Sequence, residues 1–313
     1  MAAVTAALVK ELREMTGAGM MDCKKALVAT EGDIEKAVDY LRENGLAKAA
    51  KKAGRVAAEG LTRMAFAADG TAAAMVEVNS ETDFVAKNEE FVEFVEKLAD
   101  ISLNAEKVCA ECLKEMPYGE EGTVAEALTA KIAKIGENMN IRRAVKCNTP
   151  GVKYVGYAHG GGRIGVIIGL KTEASVDEVT VCGKDVAMQA ASMRPQFVDE
   201  ASVDPEYLAH EKEVILAQAI NENNELPEGK RKPQEIIEKM IVGRVKKSLK
   251  EVCLLDQPFV KDSNMNVREY VASCAKALGK DIQVVEMVRY EVGEGIEKRQ
   301  ENFAEEVAKQ MQG

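Results

Sequence analysis

The chain has 313 residues, enough for two or three packed units, and its 46% hydrophobic and 4% aromatic content, without a single Trp, fits a globular protein with an aliphatic interior. Its 52 acidic against 42 basic residues leave a formal net charge of -10, which speaks against a dedicated nucleic-acid binder, whose footprint is a basic face, and suits a protein partner. No run approaches the roughly 20 apolar residues of a membrane span, and Met1 to Val9 lack a basic stretch followed by an apolar one, so the expectation is a cytoplasmic protein with no direct nucleic-acid or membrane partner.

Residues 1–46 read as three short helices, Thr5 to Met15, Asp22 to Thr30 and Asp33 to Asn44, with Thr5, Asp22 and Asp33 as N-caps and Gly45 as the residue that ends the third. Leu8 and Leu12, then Ile34, Ala37, Val38 and Leu41, supply apolar faces. A bundle of about 45 residues buries little core. Lys48 to Arg55 reads as a solvated tether. Gly60 to Asn79 predicts a β-hairpin turning at Asp69-Gly70 in a type I′ turn, with Thr71 to Val78 as strand. Glu77 to Lys87 then places Asp83 and Phe84 between that strand and a helix opened by Asn88, Glu89 and Glu90. Two readings stay open for this pair: a capping acid beside a core Phe, or an exposed probe on a loop.

Phe91, Val95, Leu98 and Ile101 form one helical face suited to cover the hairpin, and Val124, Leu128, Ile132 and Ile135 repeat that spacing over Thr123 to Ile135. A similar arrangement starts at Val152: strand to Ala158, turn His159 to Gly162, strand Arg163 to Lys171, then helix Lys184 to Met193. This suggests a duplicated α+β unit. Leu254 to Val260 and Asp281 to Val292 read as further strands around a helix Val267 to Leu278. Pro205 to Leu249 interrupts them as a helical hairpin, with Leu208 and Ile215 on one arm and Ile237, Ile241 and Val245 on the other, a pattern too short to establish the antiparallel coiled coil it suggests. Phe303 and Val307 stand at helical spacing near the end of the chain.

Little here points to bond-making chemistry. The two histidines, His159 and His210, have no nucleophile motif beside them. Cys109 and Cys112 lack a second pair or a nearby His at zinc spacing, and seven dispersed cysteines in a long chain read as reduced thiols in the core or on the surface. Gly160 to Gly162 fit a hairpin turn better than a phosphate cradle, because the Lys and Ser/Thr that end a P-loop are missing. His159 heads that turn, as a solvated residue or a partner contact. Met20 and Met21 fall between the first two helices, as small-core residues or as an adaptable contact surface.

Ordered motifs along nearly the whole chain resemble the bacterial translation elongation factor Ts family. They are Leu12 to Leu27, Glu77 to Lys87 with its Thr-Asp-Phe-Val centre at Thr82 to Val85, Lys134 to Arg143, His159 to Val166, Gln257 to Val260 and Arg289 to Lys298. The resemblance implies an α+β fold: a ubiquitin-associated-like three-helix domain with linker (1–54), two core subdomains (55–145 and 146–292), an antiparallel coiled-coil insertion (205–249) and a C-terminal helical module (293–313). It also implies nucleotide exchange on the GTPase elongation factor Tu, with Asp83 and Phe84 entering near its magnesium and phosphate site, His159 holding another part of its nucleotide domain, and Met20 and Met21 in the N-terminal contact region. Thr82, Asp83, Phe84, Val85, His159, Met20 and Met21 are thus the expected partner-binding residues. No cofactor, metal or nucleotide of the chain's own is expected, nor is it expected to be an enzyme. The competing reading is a ubiquitin-associated-type peptide-binding scaffold. Pairing of two complexes through the helical hairpin is the further expectation, and residues 106–122 have no assigned role.

Overall fold

The computed structural model describes residues 4–16, 18–119 and 122–297. The expected C-terminal helix, with Phe303 and Val307, lies outside them. The described chain is a mixed α+β molecule that opens on helices α1 (Ala6–Thr16), α2 (Met20–Ala29) and α3 (Ile34–Lys52). Thr5 accepts from the Leu8 N–H and Asp33 from the Lys36 N–H, so both cap as expected. Leu12, Cys23, Ala26, Leu27 and Ala37 close the small core they share.

Two expectations fail here. Met20 and Met21 lie inside the first turn of α2 rather than between helices, and Asp22 is helical, its carboxylate 2.9 Å from the Lys48 ammonium. Helix α3 also runs through Gly45 and takes up most of the supposed tether. Gly45 is buried against Ala133, and the Lys52 ammonium donates to the Ile132 carbonyl at 3.2 Å. Packing supplied by another element, invisible to local propensity, offsets the roughly 1 kcal/mol that a helical Gly costs.

Each half of the remaining chain repeats one plan: an antiparallel hairpin, a helix, and a third strand on the hairpin's second strand. The first half has β1 (Glu59–Phe66), β2 (Ala73–Ser80), helices α4 (Asp83–Ala86), α5 (Glu89–Asn104), α6 (Ala110–Lys114) and α7 (Val124–Ile135), then β3 (Met139–Cys147), in sheet order β1-β2-β3. The second has β4 (Val152–His159), β5 (Ile164–Lys171), α8 (Val176–Met193), and later α11 (Val267–Leu278) and β8 (Gln283–Glu291), in order β4-β5-β8. Between α8 and α11 come α9 (Pro205–Glu225), α10 (Gln234–Val252) and the two-stranded ribbon β6 (Pro258–Phe259) with β7 (Asp262–Asn266). The loop joining β1 to β2 is longer than a type I′ turn. The β-ladder closes at Phe66 opposite Ala73, and Asp69 does not adopt the left-handed conformation such a turn requires. Leu254–Asp256 is a 3-10 turn where a strand was expected, so only Pro258–Phe259 of that segment pairs. Helix α8 starts eight residues earlier than its apolar pattern suggests, at a capping box made by Ser175 and Glu178.

The two sheets face each other across Met75, Cys147, Val152, Tyr154 and Ile167. Their outer faces are covered by α5 and α7 on one side and by α8 and α11 on the other. Strand β2 is therefore buried along its whole length, Val76 and Val78 toward the helices and Ala73 and Met75 toward the other sheet. This is why it shows no clean alternation in sequence. Close approach of the sheets has a visible requirement at Gly165, where a Cβ would stand 2.7 Å from Met75 Sδ and 2.8 Å from Thr62 Oγ1.

Helices α9 and α10 lie antiparallel, with Arg244 on Glu222 at 2.7 Å, Ser248 on Glu211 at 2.6 Å, and Ile215, Val245 and Leu249 in a common apolar cluster. Cys109 and Cys112, read from the sequence as reduced thiols, are joined by a disulfide, while Cys23, Cys147, Cys182 and Cys253 are buried free thiols. No helix among the described residues is long and apolar enough to cross a membrane.

Candidate functional site

Helix α4 carries the residues singled out by the sequence. Its four residues are too few to be stable by themselves, since the first helical turn costs more entropy than its hydrogen bond returns. Thr82 opens it as the N-cap, accepting from the Val85 N–H at 3.4 Å. Thr82 is in turn held by Glu137, whose carboxylate accepts its N–H at 2.9 Å and its hydroxyl at 2.6 Å. Val85 and Ala86 turn inward and join the core beneath the first sheet.

Phe84 points the other way and is 80% exposed. The core-Phe reading therefore fails, and Asp83 is a first-turn residue rather than a cap. Val85, expected among the contacts, is only 8% exposed, so its side chain anchors the segment and is not free to meet a partner. Asp83 is half-exposed and pairs with the Lys87 ammonium at 2.6 Å. That hydrogen bond holds its carboxyl below the usual carboxylate range, with a smaller contribution from the Arg163 charge. At neutral pH the segment presents an anion beside a bare aromatic ring.

Arg163 belongs to the β4–β5 turn, which docks on β1. Thr62 donates its N–H and its hydroxyl to the Gly162 carbonyl at 2.7 and 2.9 Å, and Arg63 donates to the Gly161 carbonyl at 3.0 Å. All three turn glycines have positive φ, 58°, 70° and 103°, conformations that side chains resist. His159 stands exposed at the start of this turn, its Nδ1 3.0 Å from the Tyr157 hydroxyl. Helix α4 packs on the same strand β1. Asp83, Phe84 and His159 are thus carried by segments anchored to one strand.

Met20 and Met21 are 58% and 63% exposed, so burial in the small core, the blander of their two readings, is excluded. Met15 and Val28 add to the exposed apolar surface of the helical domain. Reading by residue pattern missed the roles of Glu137, Asn138 and Glu81, which brace the α4 turn. They lie within the recognised motifs, but an isolated polar residue in a loop carries no periodic signal. Among the described residues, no group of three or more His, Cys, Asp or Glu side chains is arranged to hold a metal ion.

Comparison with known proteins gives concordant results. The family model described as "Elongation factor TS" matches residues 81–294, and that described as "UBA/TS-N domain" matches residues 4–41. A protein named elongation factor Ts from Clostridioides difficile strain 630 is 56% identical over 311 residues, covering 99% of this chain and 100% of its own length. Proteins of the same name from Clostridium novyi strain NT and Clostridium acetobutylicum are 53% and 48% identical, over 98% and 99% of this chain and 99% of their own lengths. With that identity along almost the entire sequence, and a family model covering more than half of it, the chain belongs to the elongation factor Ts family.

Proposed function

We propose that the chain is a guanine nucleotide exchange factor for elongation factor Tu and that it drives GDP release by inserting the Asp83–Phe84 segment near the GTPase's magnesium and phosphate site. One observation carries this reading: a large aromatic side chain held 80% in solvent by a short helix whose flanking residues are pinned down. An exposed Phe supported this firmly is suited to being buried by something else. The mechanism needs no covalent chemistry. A partner that weakens nucleotide binding is itself weakened by nucleotide, by the reciprocity of linked equilibria.

Magnitudes limit what Phe84 does alone. Burying one Phe contributes roughly 1.5 to 3 kcal/mol, whereas a thousandfold faster release requires about 4 kcal/mol off the barrier. The remainder is assigned to the Asp83 carboxylate, which repels phosphate oxygens and competes for the magnesium shell, and to docking through His159, Met20 and Met21. The test follows release of fluorescent GDP from purified elongation factor Tu with and without this protein. A saturable acceleration is expected, and an unchanged release rate rejects the reading. The exposed methionines also suit a peptide-binding scaffold. On that reading residues 1–55 bind a partner alone and GDP release is unaffected.

A further inference from the structure

Three polar side chains tie the α4 turn to the loop between α7 and β3. Glu137 takes both donors of Thr82, at 2.9 and 2.6 Å. The adjacent pair reciprocates, the Glu81 carboxylate accepting the Asn138 N–H at 2.6 Å. The buried Asn138 amide then donates to the Arg55 carbonyl at 2.7 Å, just beyond the end of α3. Arg55 returns to Glu81 at 3.5 Å. One loop thus grips both the segment that bears Phe84 and the chain leaving the helical domain that bears Met20 and Met21.

Phe84 contributes almost no burial of its own, so α4 is oriented by its inward packing on β1 and β2 and by what holds its ends. Inward packing of Val85 and Ala86 fixes its depth. The Thr82 end is fixed by the bidentate carboxylate, a charge-assisted arrangement roughly twice as strong as neutral hydrogen bonding. We propose that Glu137 is a positioning residue for the exchange reaction: through Thr82 it sets the direction in which Asp83 and Phe84 leave the surface, without itself touching the partner. This rests on the exchange reading above. A merely structural Glu137 affects stability alone; a positioning Glu137 affects the turnover of a complex that still forms.

The experiment has two arms. Because the chain has no Trp, Phe84→Trp installs a unique fluorophore on α4, and its time-resolved anisotropy in the free full-length protein reads the segment's motion without any partner. In that background Glu137→Ala is expected to increase the nanosecond depolarisation of Trp at 84, with Glu137→Gln, which keeps one acceptor, falling between. In the second arm, with Phe84 in place, Glu137→Ala is expected to lower the saturated rate of GDP release about tenfold, while the half-saturating concentration changes less than about twofold. Thr82→Val, which keeps the side-chain shape but removes both the hydroxyl's bond to Glu137 and its weak 3.4 Å cap on the Val85 N–H, reproduces part of both effects, and it stands in if Glu137→Ala fails to fold. Unchanged anisotropy, or a saturated rate that stays at the parent value despite a loosened segment, overturns the proposal. Absence of any exchange by the parent protein rejects the exchange reading instead, and the anisotropy arm still decides whether Glu137 holds α4.

Discussion

Phe84 and Val85 are chain neighbours with opposite surroundings, and truncating each to Ala separates function from stability. Phe84 is 80% exposed, so Phe84→Ala removes almost no intramolecular burial and is expected to change unfolding free energy by less than about 0.5 kcal/mol. In the complex the lost ring forfeits roughly 1.5 to 3 kcal/mol of new burial, which corresponds to a roughly ten- to hundredfold slower stimulated GDP release. Val85 is 8% exposed and packs in the core. Val85→Ala deletes two buried methyl groups and leaves a cavity, at a cost of roughly 1.5 to 2.5 kcal/mol, with less than about threefold loss of exchange once the protein is folded. Urea unfolding followed by circular dichroism reads the first quantity, and fluorescent GDP release the second. The reasoning is refuted if Phe84→Ala destabilises as much as Val85→Ala, or if it leaves exchange intact.

Three more outcomes follow from the packing. Glu77, fully buried, accepts from Arg142, Arg143, Asn79 and the Gly293 N–H, so Glu77→Gln removes the buried anion that two guanidinium groups share and leaves them their remaining partners at Glu291 and Glu294. The partial exposure of the two guanidinium groups moderates the loss to about 2 to 3 kcal/mol, read from the urea midpoint, and an unmoved midpoint contradicts this. Gly165→Ala drives a methyl group into Met75 and Thr62 and is expected to cost about 1 to 3 kcal/mol by overpacking between the sheets. Glu178 titrates at about 2 rather than 4.5 because Lys280, foremost, and the Ser175 cap bind its ionised form. A depressed folded value means that its contribution is complete above its ordinary range and is lost as pH falls toward about 2. Glu178→Gln should therefore lower the melting temperature at neutral pH and flatten its decline between pH 4.5 and 2, and two parallel curves would count against the assignment.

Where one local signal dominates, the sequence was legible. Helix α11 has the bounds read for it, Val267 to Leu278, with the Asn266 cap and a left-handed Gly279 fixing its ends, and α7 follows the apolar spacing read over Thr123 to Ile135. Misreadings arose where a distant element decides. Gly45 reads as a helix stop because its support, Ala133, lies far along the chain. Strand β3 carries Arg142 and Arg143 for distant partners, the buried Glu77 and the 291–294 segment, so its pattern does not resemble a strand on a hydrophobic core. At the candidate site, the motif implied that Asp83 and Phe84 project toward a partner, but it also counted the buried Val85 among the contacts. The Thr82 cap that opens α4 is itself held by Glu137, 55 residues away.

Strand β2 is central in its sheet, buried on both faces and followed within three residues by α4. Amide protons in such a strand exchange with solvent only when the whole structure opens, whereas an exposed loop tip exchanges through small local excursions. The solvent-facing ring of Phe84 is therefore attached almost directly to what should be the slowest-exchanging part of the molecule. On the proposed exchange mechanism, force applied to the ring by a docking partner passes into a strand that does not give way, and the softer of the two surfaces has to move.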